Sequence, residues 1–520
     1  MAFGITIPYD INGSSIFDKT LLFDVMDLSG LTLGDGWTSI ATETFNEETS
    51  LTSIILPSSI INIDDYAFQN TIFLSSVTFS NTDSDASLNI IGTGAFKNTV
   101  RLTTITIPDS VIDICSNAFQ GSGLTTINIP KNITNIGNDV FSDTTSLINF
   151  TVDINNTNYS VDGHGVLFNY DKTTLICYPI GNTATSYEIP SSVITIGINA
   201  FIGAYNLTSI TFAESSILTT IGINAFKGLK LSGIFTIPNT VTSIQNGAFN
   251  ECVDISSINI PTAIQSIGDL CFYGMSSLTT FTPTITNFNT NYSTDEDGVL
   301  FNSDKSKLIH YPAKHTNTNY EIINSVNEIA YGAFMDVKNL ETFSVSDDHA
   351  YVSVDDHGVL FTKNKGLLIQ FPNANSMTSY TIPNTTSLVM IPSFRGAINL
   401  QNLKVPAFFY NNSFWNNIST WDLLNMPNIL EITIVSINTN RNGILYDKDL
   451  KKIIKYYPGR SNTTVTIANN IEIINKSAFQ NSSNITEIII PSTVSSIGDY
   501  AFQNCIGLTK ITFATSNVTI

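Results

Sequence analysis

The sequence predicts a β-rich solenoid, in which short strands are coiled along one axis and β-hairpins are inserted at intervals. Two recurring motifs predict it: one of about 23 residues, and a longer one that stands between some of its copies. Composition agrees, since 42% of the 520 residues are hydrophobic and only 13% are charged. A long disordered chain needs the opposite balance, so the bulk of this chain is expected to fold.

The short motif reads Leu-x-x-Ile-x-Ile-Pro, then Val-x-x-Ile-Gly, then Ala-Phe. Clear copies start at Leu102, Leu124 and Ile485. The Phe of the motif marks the repeat spacing most clearly. Most distances between the Phe residues of neighbouring copies are 22, 23, 25 or 28 residues. The aligned residues are Phe45, Phe68, Phe96, Phe119, Phe141, Phe201, Phe226, Phe249, Phe272, Phe334, Phe479 and Phe502.

Each part of the motif has a structural reason. The last two Ile are two residues apart, so they face one side of a short strand. Pro cannot donate to a strand ladder and ends the strand. Val-x-x-Ile returns the chain along the opposite wall, Gly allows a tight corner, and Phe fills the interior. A single coil has no core of its own, and stacking of successive coils buries its faces.

The longer motif is typical of a β-hairpin. Gly-Val-Leu-Phe forms one strand, Asn-x-Asp-Lys a turn, and Leu-Ile-x-Tyr the returning strand. Four such hairpins are expected, near 159–179, 292–312, 351–372 and 442–458. They should project from the solenoid or widen it.

Together the two motifs resemble the BspA-like, treponemal-type leucine-rich repeat family. The resemblance covers about 38–520 and implies a right-handed leucine-rich repeat superhelix. Residues 1–37 are expected to form an N-terminal cap, and 373–441 form an irregular segment. The last strand follows Phe502 closely, so a C-terminal cap is expected to be missing or short, which suggests truncation or a partner at that end.

Charge and the N-terminus limit the partners and the compartment. The net charge of −20 repels phosphate backbones, so nucleic acid is an unsuitable partner. The sequence shows neither a signal peptide nor a membrane span, and no membrane insertion is expected. The family resemblance implies a location at the cell surface or outside the cell, and a cytoplasmic location is the alternative.

Motifs for catalysis, a cofactor or a metal are not found, so we expect no enzyme, no cofactor and no metal site. The acidic stretches 295–298 and 355–358 lack the later ligands of an EF-hand loop and are interpreted as polar hairpin turns, with weak calcium binding left open. The five histidines are interpreted as exposed turn residues: His164, His310, His315, His349 and His357. The cysteines are interpreted as buried small residues, not disulfides: Cys115, Cys177, Cys252, Cys271 and Cys505.

Two groups of residues are candidates for partner binding. The first consists of polar residues that point outward from strands: Thr104, Thr106, Thr126, Asn128, Ser209, Thr211, Thr280 and Thr282. Such rows could bind protein or glycan, or even ice, or could simply solvate an exposed strand. The second consists of aromatic residues in the irregular segment, which form either a binding hot spot or an internal core: Phe409, Tyr410, Trp415 and Trp421.

The function that we expect is therefore non-catalytic binding of a protein or glycan partner. The family resemblance adds adhesion or recognition of a host or partner protein. The alternative is a structural or scaffold component of a larger assembly, joined end to end through the edges of the solenoid. An enzyme would need a convergent acid–base or metal cluster that the sequence does not show.

Overall fold

The computed structural model describes residues 5–7, 15–22, 28–80, 86–282, 291–390, 393–406, 426, 428–434, 440–441, 444–447, 450–457 and 460–514. The chain divides into two compact units, Met1–Met275 and Ser276–Ile520. Each unit is a β-solenoid whose strands lie in parallel ladders, as the sequence predicted. The helix within the described residues is a single 3-10 turn at Lys19–Leu22.

Most coils contribute one strand of three to five residues to a first set of sheets, which we call the long-strand face. In the first unit its strands are Ile5–Ile7, Gly30–Leu33, Ser53–Leu56, Ser76–Phe79, Thr126–Ile129, Asn149–Val152, Ser186–Ile189, Ser209–Phe212, Gly233–Phe235 and Ile255–Asn259. In the second unit they are Thr280–Thr282, Asn319–Ile322, Thr342–Val345, Ser379–Thr381, Asn402–Val405, Glu431–Ile434, Thr464–Thr466, Glu487–Ile490 and Lys510–Phe513.

Most coils also contribute a two-residue strand to a second set of sheets, the short-strand face. In the first unit its strands are Ile16–Phe17, Ser39–Ile40, Asn62–Ile63, Ile90–Ile91, Asp113–Ile114, Asn135–Ile136, Thr195–Ile196, Thr220–Ile221, Ser243–Ile244 and Ser266–Ile267. In the second unit they are Glu328–Ile329, Leu388–Val389, Ile473–Ile474 and Ser496–Ile497.

The core lies between the two faces of each coil. In the strand Thr126–Ile129, Ile127 and Ile129 are buried while Thr126 and Asn128 are exposed. This alternation follows from the period of two in a strand, which sends successive side chains to opposite sides. The returning Ile133 is also fully buried, so each coil closes its own section of a continuous core.

Stacked phenylalanine rings connect one coil to the next. The ring centroids of Phe45 and Phe68 are 5.0 Å apart with an interplanar angle of 9°, and those of Phe68 and Phe96 are 5.1 Å apart at 3°. The backbone at the Phe turn is left-handed on both sides, as at Tyr66 and Asn70 around Phe68. The motif therefore fixes the turn as well as the core.

The motif glycine is required because neighbouring coils approach each other closely. A Cβ atom on Gly137 would lie 2.5 Å from the backbone nitrogen of Ser116, and one on Gly498 would lie 2.4 Å from the backbone nitrogen of Lys476. Contacts this short are not possible for a side chain, so the predicted tight corner is confirmed at these positions.

The four predicted hairpins are present, and each has one more strand than the sequence indicated. The three-stranded modules are Tyr159–Val161, Leu167–Asn169 and Thr174–Cys177; Tyr292–Thr294, Leu300–Asn302 and Lys307–His310; Val352–Val354, Leu360–Thr362 and Leu367–Gln370; and Asn440–Arg441, Ile444–Tyr446 and Lys452–Tyr456. The first strand pairs antiparallel with the second, which pairs antiparallel with the third. The first strand was missed because it is only two or three residues long, too short to show a pattern.

Each module takes the place of the short strand in its coil. The third strand Thr174–Cys177 pairs in parallel with the short strand Thr195–Ile196 of the next coil. Tyr178 then takes the position of the motif Phe, with its ring centroid 5.4 Å from that of Phe201. The modules are therefore built into the solenoid core, and do not only project from it.

One copy of the short motif does not form its expected strand. Residues 102–107 alternate between exposed and buried side chains as a strand would, but they are not part of a ladder. The preceding coil is 28 residues long between Phe68 and Phe96 instead of the usual 23.

Candidate partner-binding surface

Most of the predicted polar residues face solvent, on the long-strand face or, for Thr104 and Thr106, on the segment 102–107 that precedes the strand Thr126–Ile129 by one coil. Six of them have exposed side chains: Thr104, Thr106, Thr126, Asn128, Ser209 and Thr211. Thr280 and Thr282 are half-buried. A turn of the second module covers Thr280, since a Cβ atom on Gly298 would lie 2.1 Å from the Thr280 hydroxyl oxygen.

Neighbouring strands place these residues in rows. Thr126 lies beside Asn149 and Asn128 beside Thr151, whose hydroxyl donates a 3.0 Å hydrogen bond to the Asn128 side-chain oxygen. The coil of Thr104 and Thr106 comes directly before, and its Thr103 carbonyl accepts a 3.0 Å hydrogen bond from the Thr125 amide. This part of the face is a contiguous polar surface without charged side chains.

The other candidates are not part of this contiguous row. Ser209 and Thr211 lie in a separate two-stranded sheet with Ser186–Ile189. Thr280 and Thr282 belong to the second unit. Four aromatic candidates lie outside the described residues: Phe409, Tyr410, Trp415 and Trp421.

The structure adds a groove beside Ser209 and Thr211. It has a volume of about 510 Å³, and its walls come from two consecutive coils, at 209–216 and 234–240. We call it the bulge groove. Ile234, at its edge, is 73% exposed, whereas the next residue, Phe235, is buried.

One of the two coils that form the groove contains an inserted residue. Leu231 and Pro238 are seven residues apart, whereas the motif from Leu102 to Pro108 spans six. Beside this inserted residue, the register with the following strand shifts, since Gly233 pairs with Ile255 and Ile234 with Ser257. Such a shift is a β-bulge, which bends the strand and interrupts its ladder. Ile234 stands four residues before Pro238, the outward position that Thr126 takes before Pro130. The seven-residue spacing from Leu231 to Pro238 is the sequence signal for this site.

The acidic stretches of the modules are hydrogen-bonded turns. The Asp295 carboxylate accepts hydrogen bonds from the Val299 amide at 2.8 Å and from the Tyr320 hydroxyl at 2.8 Å. Asp355 does the same with the Val359 amide at 2.9 Å and the Tyr380 hydroxyl at 2.7 Å. These carboxylates are used within the fold, which supports the interpretation of polar turns.

Burial shifts the pKa values of these groups. It raises the pKa of the Tyr320 and Tyr380 hydroxyls, and their hydrogen-bonded carboxylates raise it further. Burial also raises the pKa of Asp295 above its ordinary value, although its two hydrogen bonds oppose this. The tyrosines therefore stay protonated and act as donors, which makes the pair a structural clamp.

The histidines are more varied than the sequence predicted. His164 and His357 are exposed in module turns, but His310 and His349 are buried. His349 is held by backbone groups: its Nδ1 accepts from the amides of Tyr351 and Val352 at 3.3 Å. The prediction of exposed turn histidines is wrong for these two residues, because both point into the core of a coil.

All five cysteines are free thiols, and Cys252 and Cys271 are buried. Burial raises the pKa of the Cys252 thiol to about 12, which leaves it protonated and unreactive. Cys177 lies at a smaller cavity of about 250 Å³ between the coils on either side of the first module. Its pKa is also raised to about 12 by burial, so it is not a nucleophile.

Metal sites and membrane spans were also sought in the described ranges. No group of three or more His, Cys, Asp or Glu side chains is arranged there to hold a metal ion. None of the helices in this part of the chain is long and apolar enough to cross a membrane. The chemistry that the surface offers is hydrogen bonding by hydroxyls, amides and backbone groups.

The chain is similar in fold to several solved proteins. One is a leucine-rich repeat protein from Eubacterium ventriosum, at 21% identity over 71% of this chain and 82% of that chain, with a TM-score of 0.39. Another is a leucine rich cell surface protein from Faecalibacterium prausnitzii, at 20% identity over 92% and 84%, with a TM-score of 0.22. A leucine-rich repeat protein of T. pallidum shares 21% identity over 43% and 81%, with a TM-score of 0.25.

No curated protein matches the sequence. The model of the BspA type leucine-rich repeat region matches it in six copies, at residues 79–163, 180–295 and 454–520, which together make up more than half of the chain. The two motifs and the parallel ladders agree with that match. The chain belongs to the BspA-type leucine-rich repeat family.

Proposed function

We propose that this protein is a non-catalytic binding protein that recognises a protein or glycan partner at the cell surface. The long-strand face provides the contact, and the rows around Thr126 and Asn128 are its centre. The aromatic candidates of the irregular segment, Trp415 and Trp421 among them, remain a second possible contact.

The observation that supports this function is the alternation along the long strands. Along each of these strands, exposed side chains alternate with buried ones. The buried side chains pack in the core and hold the backbone that carries the exposed Thr, Ser and Asn residues. Parallel strands repeat at about 4.8 Å, which sets a regular spacing of hydrogen-bonding groups. A rigid surface of this kind loses little conformational entropy when it binds an extended partner.

The proposed location has support from the family and a direct test. Members of this family are expected at the surface by the resemblance described above, and the cytoplasm is the alternative. Protease treatment of intact source cells, followed by detection of this chain, should remove it while cytosolic control proteins survive. Full protection of the chain would move the proposal to an intracellular scaffold.

Binding itself is tested with the purified chain on arrays of matrix proteins and glycans. The double variant Thr126→Arg with Asn128→Arg adds two bulky charges to the centre of the face and should weaken binding at least tenfold. Thr134→Arg is the matched control, because Thr134 is exposed beside the short-strand face of the same coil. Equal binding by both variants would exclude this part of the face.

The alternative function is a scaffold that joins copies of the chain end to end. Sedimentation of the purified chain distinguishes the two functions. A binding protein stays monomeric as its concentration rises, whereas a scaffold forms larger species. Concentration-dependent assembly would favour the alternative.

A further inference from the structure

We propose that the bulge groove binds an uncharged extended peptide segment of a partner protein by strand addition. The proposal rests on the proposed binding function, because it names the class of partner and one place of contact. It is carried by backbone groups that two interrupted strands leave between them, not by a pocket shape alone.

The groove is an opening in the ladder that is closed at both ends. At one end, the Ser232 amide donates a 3.3 Å hydrogen bond to the Thr208 carbonyl. At the other end, the Thr240 hydroxyl donates a 3.4 Å hydrogen bond to the Ser216 carbonyl. Between these points, Ser209–Phe212 and Gly233–Phe235 are not hydrogen-bonded neighbours.

One wall of the opening is the edge of a parallel strand. The amides of Ser209 and Ala213 donate to the preceding strand at 3.1 and 3.0 Å. Because alternate residues of a strand direct their backbone groups to opposite sides, those of Ile210 and Phe212 point toward the groove. A strand edge of this kind is a template for an added strand.

The opposite wall is held in place by a side chain. The Asn259 side-chain oxygen accepts a hydrogen bond from the Ile237 amide, and its nitrogen donates to the Ile237 carbonyl at 3.0 Å. These bonds satisfy both backbone groups of Ile237 from the side away from the groove. The bulged strand is thereby tied to the following coil, and the opening is kept.

The lining indicates what the peptide should carry. The groove is lined by Ser, Thr and Asn together with apolar residues, and no charged side chain contributes to it. Ile234 is 73% exposed and Phe212 is half-buried, so an apolar side chain of the peptide has a contact on each wall. The four residues of Ser209–Phe212 span about 13 Å, which sets the length of the docked segment.

The test uses a fluorescein-labelled heptapeptide of sequence Leu-Thr-Thr-Ile-Thr-Ile-Pro, which is a copy of residues 102–108. Its binding to the full chain is measured by fluorescence anisotropy. Two further peptides carry N-methyl groups on alternate amides, one on the odd and one on the even positions. Strand addition predicts that one methylated peptide binds at least tenfold more weakly and that the other binds nearly as well as the parent.

Two variants locate the peptide. Deletion of Ile234 restores the six-residue spacing from Leu to Pro, closes the opening and should abolish binding. Thr211→Trp fills the groove from an exposed position and should weaken binding at least tenfold, while Thr134→Trp, beside the short-strand face, should not change it. Because Thr211→Trp leaves the core intact, a folding defect in the deletion variant does not decide the outcome.

The results distinguish strand addition at the bulge groove from partner binding by the long-strand face. Equal loss of binding with both methylated peptides, or equal binding to wild type and Thr211→Trp, overturns strand addition at this groove. Binding of maltoheptaose at the groove in place of the peptide also overturns it. If the peptide fails while the arrays still show binding that is sensitive to Thr126→Arg and Asn128→Arg, only the further inference fails.

Discussion

At the scale of single residues, a hydroxyl or thiol beside four of the Phe turns donates a hydrogen bond to the turn before it. Three residues after the motif Phe, the Thr71 hydroxyl donates to the Phe45 carbonyl at 2.7 Å. The Cys252 thiol donates to the Phe226 carbonyl at 3.0 Å. The sequence shows that Thr and Cys share this column, but the hydrogen bond depends on how two coils stack, which the spacing alone does not give.

The first prediction concerns this column. Cys252→Ala should lower the free energy of unfolding by about 1 kcal/mol, because the Phe226 carbonyl keeps its hydrogen bond from the Leu229 amide but loses the one from the thiol. Cys252→Thr should retain most of the stability, since Thr71 and Thr144 fill the same position. Urea unfolding measures both variants. Equal destabilisation by Ala and Thr would show that volume matters here and the hydrogen bond does not.

The second prediction concerns pH. Burial lowers the pKa of His310 from 6.5 to about 4. Below about pH 6.5, the His310 side chain therefore binds a proton in the unfolded chain but stays neutral in the folded chain. The free energy of unfolding is therefore unaffected by this histidine above pH 6.5. It falls as the pH is lowered toward 4, by roughly 3 kcal/mol at most.

The matched variant for this test is His310→Gln, because Gln370 fills the same place in the third module. The loss of unfolding free energy between pH 6.5 and 4.5 should be smaller in His310→Gln than in the wild type. His164→Gln, which changes an exposed histidine, should leave the pH dependence as it is. If the unfolding free energy of His310→Gln fell with pH as steeply as that of the wild type, the pH dependence would not come from His310.

At the scale of elements, the modules repeat a pairing that the sequence contains but does not reveal. Asp162, Asp295 and Asp355 each accept a hydrogen bond from a tyrosine 25 residues later, at 2.7 to 2.8 Å. In the fourth module Asn440 stands at the Asp position and Val465 at the Tyr position, so the two partners are replaced together. Each Asp alone resembles a calcium loop, and only the fold brings its tyrosine close.

The third prediction tests this clamp. Tyr380→Phe should lower the free energy of unfolding by about 1–3 kcal/mol, because the buried side of the Asp355 carboxylate loses its donor. The double variant with Asp355→Asn should cost less than the sum of the two single changes in a double-mutant cycle. Additive effects would mean that the hydrogen bond does not couple the module to the following long strand.

The fold class, the coil length and the module positions could all be predicted, because stacking requires each coil to repeat the same apolar positions. The failures occur where one coil departs in length. Residues 102–107 form no ladder, and the register between Gly233–Phe235 and the following strand shifts beside an inserted residue. Register depends on a single residue, so an alignment of motifs by eye does not detect it.

The fourth prediction follows from the inserted residue. Deletion of Ile234 should allow Phe235–Ile237 to pair with Ser209–Phe212 and should raise the free energy of unfolding by about 1–2 kcal/mol through two added backbone hydrogen bonds. Amide hydrogen exchange at Ile210 and Phe212 should slow in the variant. Unchanged exchange at both amides would contradict the interpretation of the bulge.

At the scale of the whole molecule, the chain combines an acidic net charge of −20 with a contiguous row that carries no charged side chains. A net charge of this size opposes self-association and repels other polyanions. The apolar residues fill the core of each unit. In the row around Thr126 and Asn128 the outward positions are taken by Thr and Asn, whereas other long strands carry Glu188, Glu321 and Lys404 there. Such a division of roles suits a scaffold that binds by hydrogen bonding along its length.

The central claim is that the long-strand face binds the partner, and hydrogen–deuterium exchange of the complex tests it most directly. With a partner selected from the arrays, the account predicts slowed exchange in residues 103–107 and 125–129 and no change at the Thr134 side of the same coils. Protection confined to the module turns around His164 and His357, with the long strands unchanged, would contradict it.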